Sequence, residues 1–198
     1  MRHMTQFNDT SSLLAFLKSR KSASAKAMTG PGPSDEQLKA MLSLAVRVPD
    51  HGKLAPWRFI SFTGDARAKA GEKFAARWKE LHPEPGEDSL AFMKGFLMRA
   101  PAVVAVVSKA APHPKIPVWE QQMSAGAVAF NLELAALAHG FDATWITDWV
   151  AYDEVAKAAI GLAAGEQLAG LIFIGKAAAP LEDRPRPDVD QLLTAWSG

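Results

Sequence analysis

Three groups of cations in this chain are placed to hold an anion. Arg20 stands two residues before Ser22, with Lys21 between them, so that a guanidinium and a hydroxyl can close on one phosphate; the planar fork of arginine matches phosphate oxygens. Arg47 and His51 flank a Val48-Pro49-Asp50 turn, and Arg184 and Arg186 are separated by a single proline near the C-terminus. Taken singly, each is the kind of charge that usually sits solvated on a surface. Taken together, from helix ends and proline-stiffened loops, they suit an anionic, flat ligand. Pro49 and Pro56 stiffen the loop between them, which lowers the entropy lost when it closes on a ligand. Six tryptophans against one tyrosine offer flat walls, although Trp57, directly after Pro56, reads first as a wall of the core.

Other chemistries are poorly served. The chain has no cysteine, which excludes a disulfide framework, a thiolate metal site and a cysteine nucleophile. Neither a Gly-x-Gly-x-x-Gly after a strand nor a P-loop is present, the five histidines are scattered without metal-ligand spacing, and no serine lies in a Gly-x-Ser-x-Gly setting. A net charge of +1 gives no reason to expect nucleic acid or an acidic membrane surface as partner. The first dozen residues lack an apolar h-region, so no secretory signal is expected and the simplest compartment is the cytoplasm. At 198 residues, 48% of them hydrophobic, one domain over 1–198 is expected, with a flexible stretch over 1–11 and a C-terminal extension over 176–198.

The elements that must position these cations are organised around residues 119–140. From Ala125 to Ala138 only Asn131 and Glu133 are polar. A helix apolar almost all round is buried, and this one is too short and interrupted to cross a membrane. Gly140 is placed to end it and His139 to complement its dipole. Small residues at Ser124–Ala127 allow another backbone to come close, within the chain or across a dimer axis. Before it, the patterning predicts a helix over 12–20 capped by Ser11 or Ser12, a turn over 29–33, a helix from Ser34 or Asp35 to about Arg47, a strand over 58–62, helices over 65–80 and 88–99, and a buried strand over 102–108. After it come strands over 143–147 and 168–174 around a helix over 152–161 with Asp153 as its cap. Helices outnumber strands and separate them, which reads as an α+β or α/β sandwich with a small central sheet.

Arg20-Lys21-Ser22-Ala23-Ser24, then Arg47-Val48-Pro49-Asp50-His51 leading to Pro56-Trp57-Arg58-Phe59, then Trp119–Gly126, Asn131-Leu132 with Leu134-Ala135-Ala136, and Gly140-Phe141 with Ala143-Thr144-Trp145, occur in an order that resembles the nitroreductase family, in particular its small NAD(P)H nitroreductases with a Pro-Asp-His turn. The resemblance covers about 12–187. It implies an α+β fold with a central, mainly antiparallel sheet flanked by helices, an interlocked homodimer along the central helix, and FMN at the dimer interface with residues from both chains. It assigns Arg20 and Ser22 to FMN, with Lys21 between them contributing backbone, places Arg47 and His51 near the flavin, brings the backbone of Trp145, Ile146 and Thr147 to the isoalloxazine, and carries Arg184 and Arg186 to the phosphate. The implied activity is hydride transfer from NAD(P)H through flavin N5 to a nitroaromatic or quinone-like acceptor, with no catalytic side chain and no metal. Its alternatives are another flavin reaction on the same fold, such as reductive dehalogenation or flavin breakdown, and a flavin-binding or sensing protein with little turnover.

The chain departs from that pattern at informative places. Many members carry a lysine where this chain has Ser24, and an asparagine and a glutamine where it has Lys53 and Ala55. The strand end often written Trp-Arg-Ser is Trp145-Ile146-Thr147. A cation that would stabilise the reduced flavin is therefore absent from its usual position, with Lys53 the candidate substitute.

Overall fold

The structure, a computed structural model, describes residues 6–26 and 28–198. The expectation of a flexible stretch over 1–11 falls in part on 1–5, outside the described residues. Among the described residues five strands form the sheet: β1 (Met28–Thr29), β2 (Trp57–Thr63), β3 (Ala102–Ser108), β4 (Asp142–Ile146) and β5 (Gln167–Ala177). All four pairings are antiparallel: β2 with β3, β3 with β5, β4 with β5, and the two residues of β1 with the end of β5. The architecture is α+β, with an antiparallel sheet flanked by helices.

Alternation along the strands builds a core on each face. Val103, Ala105 and Val107 of β3, with Phe62 and Phe173, pack against α3 (Ala66–Leu81) and α6 (Glu154–Ala159) through Phe74, Ala70 and Ala156. The intervening Ala102, Val104 and Val106, with Ile172 and Ile174, pack against α2 (Asp35–Ala45) and α5 (Val118–Ala138) through Met41, Val128 and Leu132. The unbroken Val/Ala run of β3 is thus the signature of a strand covered on both sides. Gly71 lets α3 meet the end of α4 (Glu87–Lys94): a Cβ there would lie 1.9 Å from the Lys94 carbonyl oxygen.

Caps fall where local chemistry demands. Ser12 caps α1 (Leu13–Ser19), Ser34 and Gln37 form a capping box on α2, and Asp153 caps α6. At the far end of α5, Gly140 takes φ +78°, its N–H bonds the Leu137 carbonyl and that of Phe141 bonds the Ala136 carbonyl, which is the paired closure of a Schellman motif. The His139 ring meets the Ala135 carbonyl at 2.8 Å.

Two details differ from expectation. The helix anticipated over 88–99 breaks at Gly95 into α4 and a 3-10 turn at Phe96–Arg99, which seats Phe96 and Leu97 in the core. The strand anticipated over 168–174 continues to Ala177, because β1 gives its last two residues a partner. The small residues of α5 divide: Ser124 and Ala125 are buried, and Gly126 and Ala127 are half-buried. The Ser124 hydroxyl donates to the Pro49 carbonyl at 2.6 Å, and Gly126 lies under the Trp145 ring. Of the two close approaches expected, the one within the chain is made at Pro49 and Trp145. What α5 leaves open is a stripe of large apolar side chains, with Trp119 68%, Met123 57% and Phe130 41% exposed.

Candidate functional site

The segment after α1 and the segment after β5 run side by side and enclose a cleft of about 670 Å³, within the size range of small-molecule sites. Lys21, Ser22, Ala23, Ser24 and Lys26 form one wall and 177–183 the other. Two local devices hold the first wall. Asn8 accepts from the Lys21 N–H at 2.9 Å and donates to its carbonyl at 3.2 Å. The Ala23 N–H donates to the Ala143 carbonyl at 2.9 Å, which ties the wall to β4.

Arg20 is largely buried beside this wall. Its Nη1 donates to Ser22 Oγ at 3.1 Å and lies 3.4 Å from Glu133 Oε1, while its guanidinium carbon lies 5.7 Å from the Phe130 ring centroid. Glu133, in the second half of α5, is 3% exposed. Burial pushes its carboxyl above the ordinary range, opposed by the Ser22 hydroxyl and the Arg20 charge. The far wall carries Asp183, held below the ordinary carboxyl range first by the Arg184 N–H, with Arg186 and Lys21 adding to it. Arg186 reaches Asp183 at 3.3 Å, and both Arg184 and Arg186 are exposed beyond the cleft. The structure therefore brings Lys21 and Ser22 to the cleft, with Arg20 one hydrogen bond behind Ser22, and the far wall ends at Asp183, directly before Arg184.

Trp145 stands in a slot cut by two glycines. Its Nε1 donates to the Ala169 carbonyl at 3.0 Å, a Cβ on Gly170 would lie 1.8 Å from that nitrogen, and one on Gly126 would lie 3.9 Å from the ring. Among the described residues β4 pairs with β5 alone, so its other edge is open. Ala143 turns its carbonyl out to Ala23, and in an antiparallel strand alternate residues face the same way. Trp145 thus presents backbone N–H and C=O on that open edge, and Ile146 and Thr147 follow. Asp148 then reverses the chain with φ +60° and accepts from the Trp149 N–H at 2.7 Å.

Arg47 and His51 lie elsewhere. His51 Nδ1 meets Glu120 Oε2 at 2.7 Å in the first turn of α5, and the Arg47 side chain is exposed at the end of α2. Between Pro49 and Pro56, Gly52, Lys53 and Ala55 all have positive φ, a conformation disfavoured for Lys and Ala. The Asp50 carboxylate holds it by accepting from the N–H groups of Leu54 and Ala55 at 3.2 and 2.9 Å. Glu120 and Glu133 are thirteen residues apart on one helix, about 20 Å along its axis. His51 and Arg20 therefore sit at opposite ends of α5 within one chain.

Four contributors escaped sequence reading. Glu133 was visible as the single carboxylate of an apolar run, but its partner Arg20 lies 113 residues away. Lys26 had no motif to mark it, yet it lines the cleft from which a cation at position 24 is absent. Asn8 and Gly170 act through contacts that spacing does not encode. Among the described residues no cluster of three or more metal-ligating side chains occurs, and no helix is long and apolar enough to cross a membrane.

This antiparallel sheet with a long buried helix is the nitroreductase-like fold. It superposes on a nitroreductase-like family protein from Bacillus cereus with a TM-score of 0.79 at 22% identity, covering 98% of this chain and 100% of that one. A variant of the FMN and NADPH-dependent nitroreductase NfnB derived from Sphigopyxis sp. strain HMH superposes with a TM-score of 0.70 at 21% identity, over 92% and 97% of the two chains. The family model for the nitroreductase family matches residues 17–176. The "Putative NAD(P)H nitroreductase" of Haemophilus influenzae is 37% identical over 82% of this chain and 86% of that protein, and YdjA of Escherichia coli K12, which bears the same description, is 34% identical over 82% and 86%. The chain belongs to the nitroreductase family.

Proposed function

We propose that this protein is an FMN-dependent oxidoreductase that takes reducing equivalents from NAD(P)H and passes them to a flat, electron-poor acceptor such as a nitroaromatic or a quinone, and that it works as a homodimer. The observation that carries this reading is the meeting of Lys21, Ser22 and Lys26 at one cleft, with Arg20 behind Ser22, next to the open edge of β4. That donor set fits a single terminal phosphate, and the strand edge fits the polar rim of a flat ring. When bound, FMN supplies the hydride chemistry, accepting from the nicotinamide and giving to the acceptor.

The chain's own part is positioning and charge. Arg20 and Ser22 hold the phosphate end, with Arg184 and Arg186 extending the positive field beyond the cleft. The outward backbone groups of Trp145, with Ile146 and Thr147 following, offer hydrogen bonds to the ring, and the locked indole of Trp145 stiffens the strand that carries them. Lys26, on the same wall as Ser22, adds a further cation to the phosphate end. The test is direct. The purified protein is expected to be yellow, to release FMN and not FAD, and to oxidise NAD(P)H with a quinone acceptor. A colourless protein that ignores added FMN overturns the reading, and a yellow one without turnover marks a flavin-binding protein instead.

The 20 Å between His51 and Arg20 along α5 supports the dimer. A second copy packed antiparallel along the open stripe would set the partner subunit's His51 beside this chain's Arg20, whereas one chain holds the two groups apart. Closed two-fold pairs are the commonest assemblies, and Trp119, Met123 and Phe130 are the side chains such a pair would cover. Met123→Glu, which places a charge in that stripe, is expected to yield monomers by light scattering and to weaken FMN binding at least about tenfold, since an unpaired buried charge costs several kcal/mol. A Met123→Glu protein that stays dimeric removes α5 from the interface.

A further inference from the structure

Glu133 has no part in holding a ring or a phosphate, yet it is the best-buried carboxylate beside the cleft, pairs with Arg20 and is influenced by the Ser22 hydroxyl. We propose that Glu133 is a proton gate on this site, so that FMN binding at Arg20 and Ser22 is coupled to uptake of one proton from solvent by the Glu133 carboxylate. The inference rests on the FMN reading above.

The geometry sets up a competition for two donors. Arg20 Nη1 lies 3.1 Å from Ser22 Oγ and 3.4 Å from Glu133 Oε1. Ionised, Glu133 accepts the Ser22 proton and shares the single positive charge of Arg20. A phosphate monoester brings a charge of about −1.5 to −2 to the same guanidinium, and a second anion there disfavours the ionised carboxylate. Protonation resolves the conflict without leaving a group unpaired. The neutral carboxyl donates its O–H to Ser22 Oγ, which also accepts from Arg20, and the Ser22 O–H is released to donate to the phosphate. One proton moves from solvent to Glu133 Oε, and no other bond changes. Burial already favours the neutral form.

Within one chain, among the described residues, few other charges bear on Glu133. From the segment after α1 these are Arg20 and Ser22. On α5 itself the nearest titratable group is His139, whose ring is turned to the Ala135 carbonyl. Lys21 faces Asp183 across the cleft. The sign follows from linkage. A group whose pKa is raised by the ligand strengthens binding below its free value, and that gain is lost as pH rises through its bound value. FMN affinity should therefore fall with rising pH, by up to about tenfold per pH unit in that window.

The test is titration of FMN and of riboflavin into wild type and Glu133→Gln from pH 5.5 to 8.5. Proton uptake is counted by calorimetry in two buffers of unlike ionisation enthalpy. The phosphate has its own ionisation near pH 6, which is common to both proteins and silent near pH 8. Wild type should take up to one proton more than E133Q on binding FMN, E133Q should bind FMN at pH 8 at least as tightly as wild type, and riboflavin should show neither effect. His51→Gln should retain the uptake. If E133Q weakens FMN equally at every pH, Glu133 only orients Arg20 and the gate is overturned; unchanged affinity and slope overturn it as well. Should E133Q not fold, absence of proton uptake by wild type beyond that of the phosphate itself anywhere from pH 5.5 to 8.5 is decisive against it. A wild type that binds no FMN at any pH overturns the function itself, a result distinct from all of these.

Discussion

Gly170→Ala is expected to evict the Trp145 indole from its slot. The new Cβ would lie 1.8 Å from Trp145 Nε1 and 2.3 Å from the adjacent ring carbon, and neither can yield by a simple rotamer change, because the nitrogen is bound to the Ala169 carbonyl. Overpacking of this kind costs about 1–3 kcal/mol, and the lost hydrogen bond adds about 1 kcal/mol. Urea unfolding should register a loss of about 2–4 kcal/mol, and FMN affinity should fall with it, because Trp145 sits on the strand edge assigned to the ring. Gly126→Ala is the matched control. Its Cβ would meet the same ring at 3.9 Å, an ordinary contact, and alanine favours a helix over glycine by about 1 kcal/mol. A Gly170→Ala protein as stable as wild type would mean that the indole has another seat.

Arg20→Ala should separate the phosphate from the ring. A charge-assisted hydrogen bond is worth about 1.5–3 kcal/mol, so FMN binding should weaken roughly tenfold to a hundredfold. Riboflavin, which lacks the phosphate, should bind wild type and variant alike, and turnover at saturating FMN should largely survive. The substitution also strands Glu133, and breaking a buried pair costs about 3–5 kcal/mol when the survivor stays charged. Because this pair is long and Glu133 can take a proton, the lower end is expected. Combining Arg20→Ala with Glu133→Gln should recover that stability while leaving the FMN defect in place. Equal losses for FMN and riboflavin would put Arg20 at the ring instead.

Much of this was legible in the order of the residues. The apolar run of α5, its stop at Gly140, the doubly covered β3 and the caps at Ser12, Ser34 and Asp153 all express local chemistry, which spacing records. Arg20, Lys21 and Ser22 could be read as an anion site because a helix end delivers them together. What could not be read depends on partners far along the chain. The small face of α5 announced a close contact, but only the folded chain shows that Pro49 and Trp145 make it. Strand β1, two residues long, exists because β5 overruns its other partners. Glu133 showed its oddity and not its purpose, and Gly170 is one of fourteen glycines until an indole is laid on it.

The residues beyond β5 have a further consequence. From 182 onward every residue is exposed, including Val189, Leu192, Leu193 and Trp196, the last at 90%. Exposed segments of this kind are preferred sites of proteolytic nicking. Yet the only basic residues there, Arg184 and Arg186, are each followed by proline, and trypsin does not cut such bonds. The segment is thus closed to trypsin and open to chymotrypsin at its leucines and tryptophan. A pair of short digests, followed by mass, reports whether those apolar side chains stay in water or are sheltered in the assembled protein.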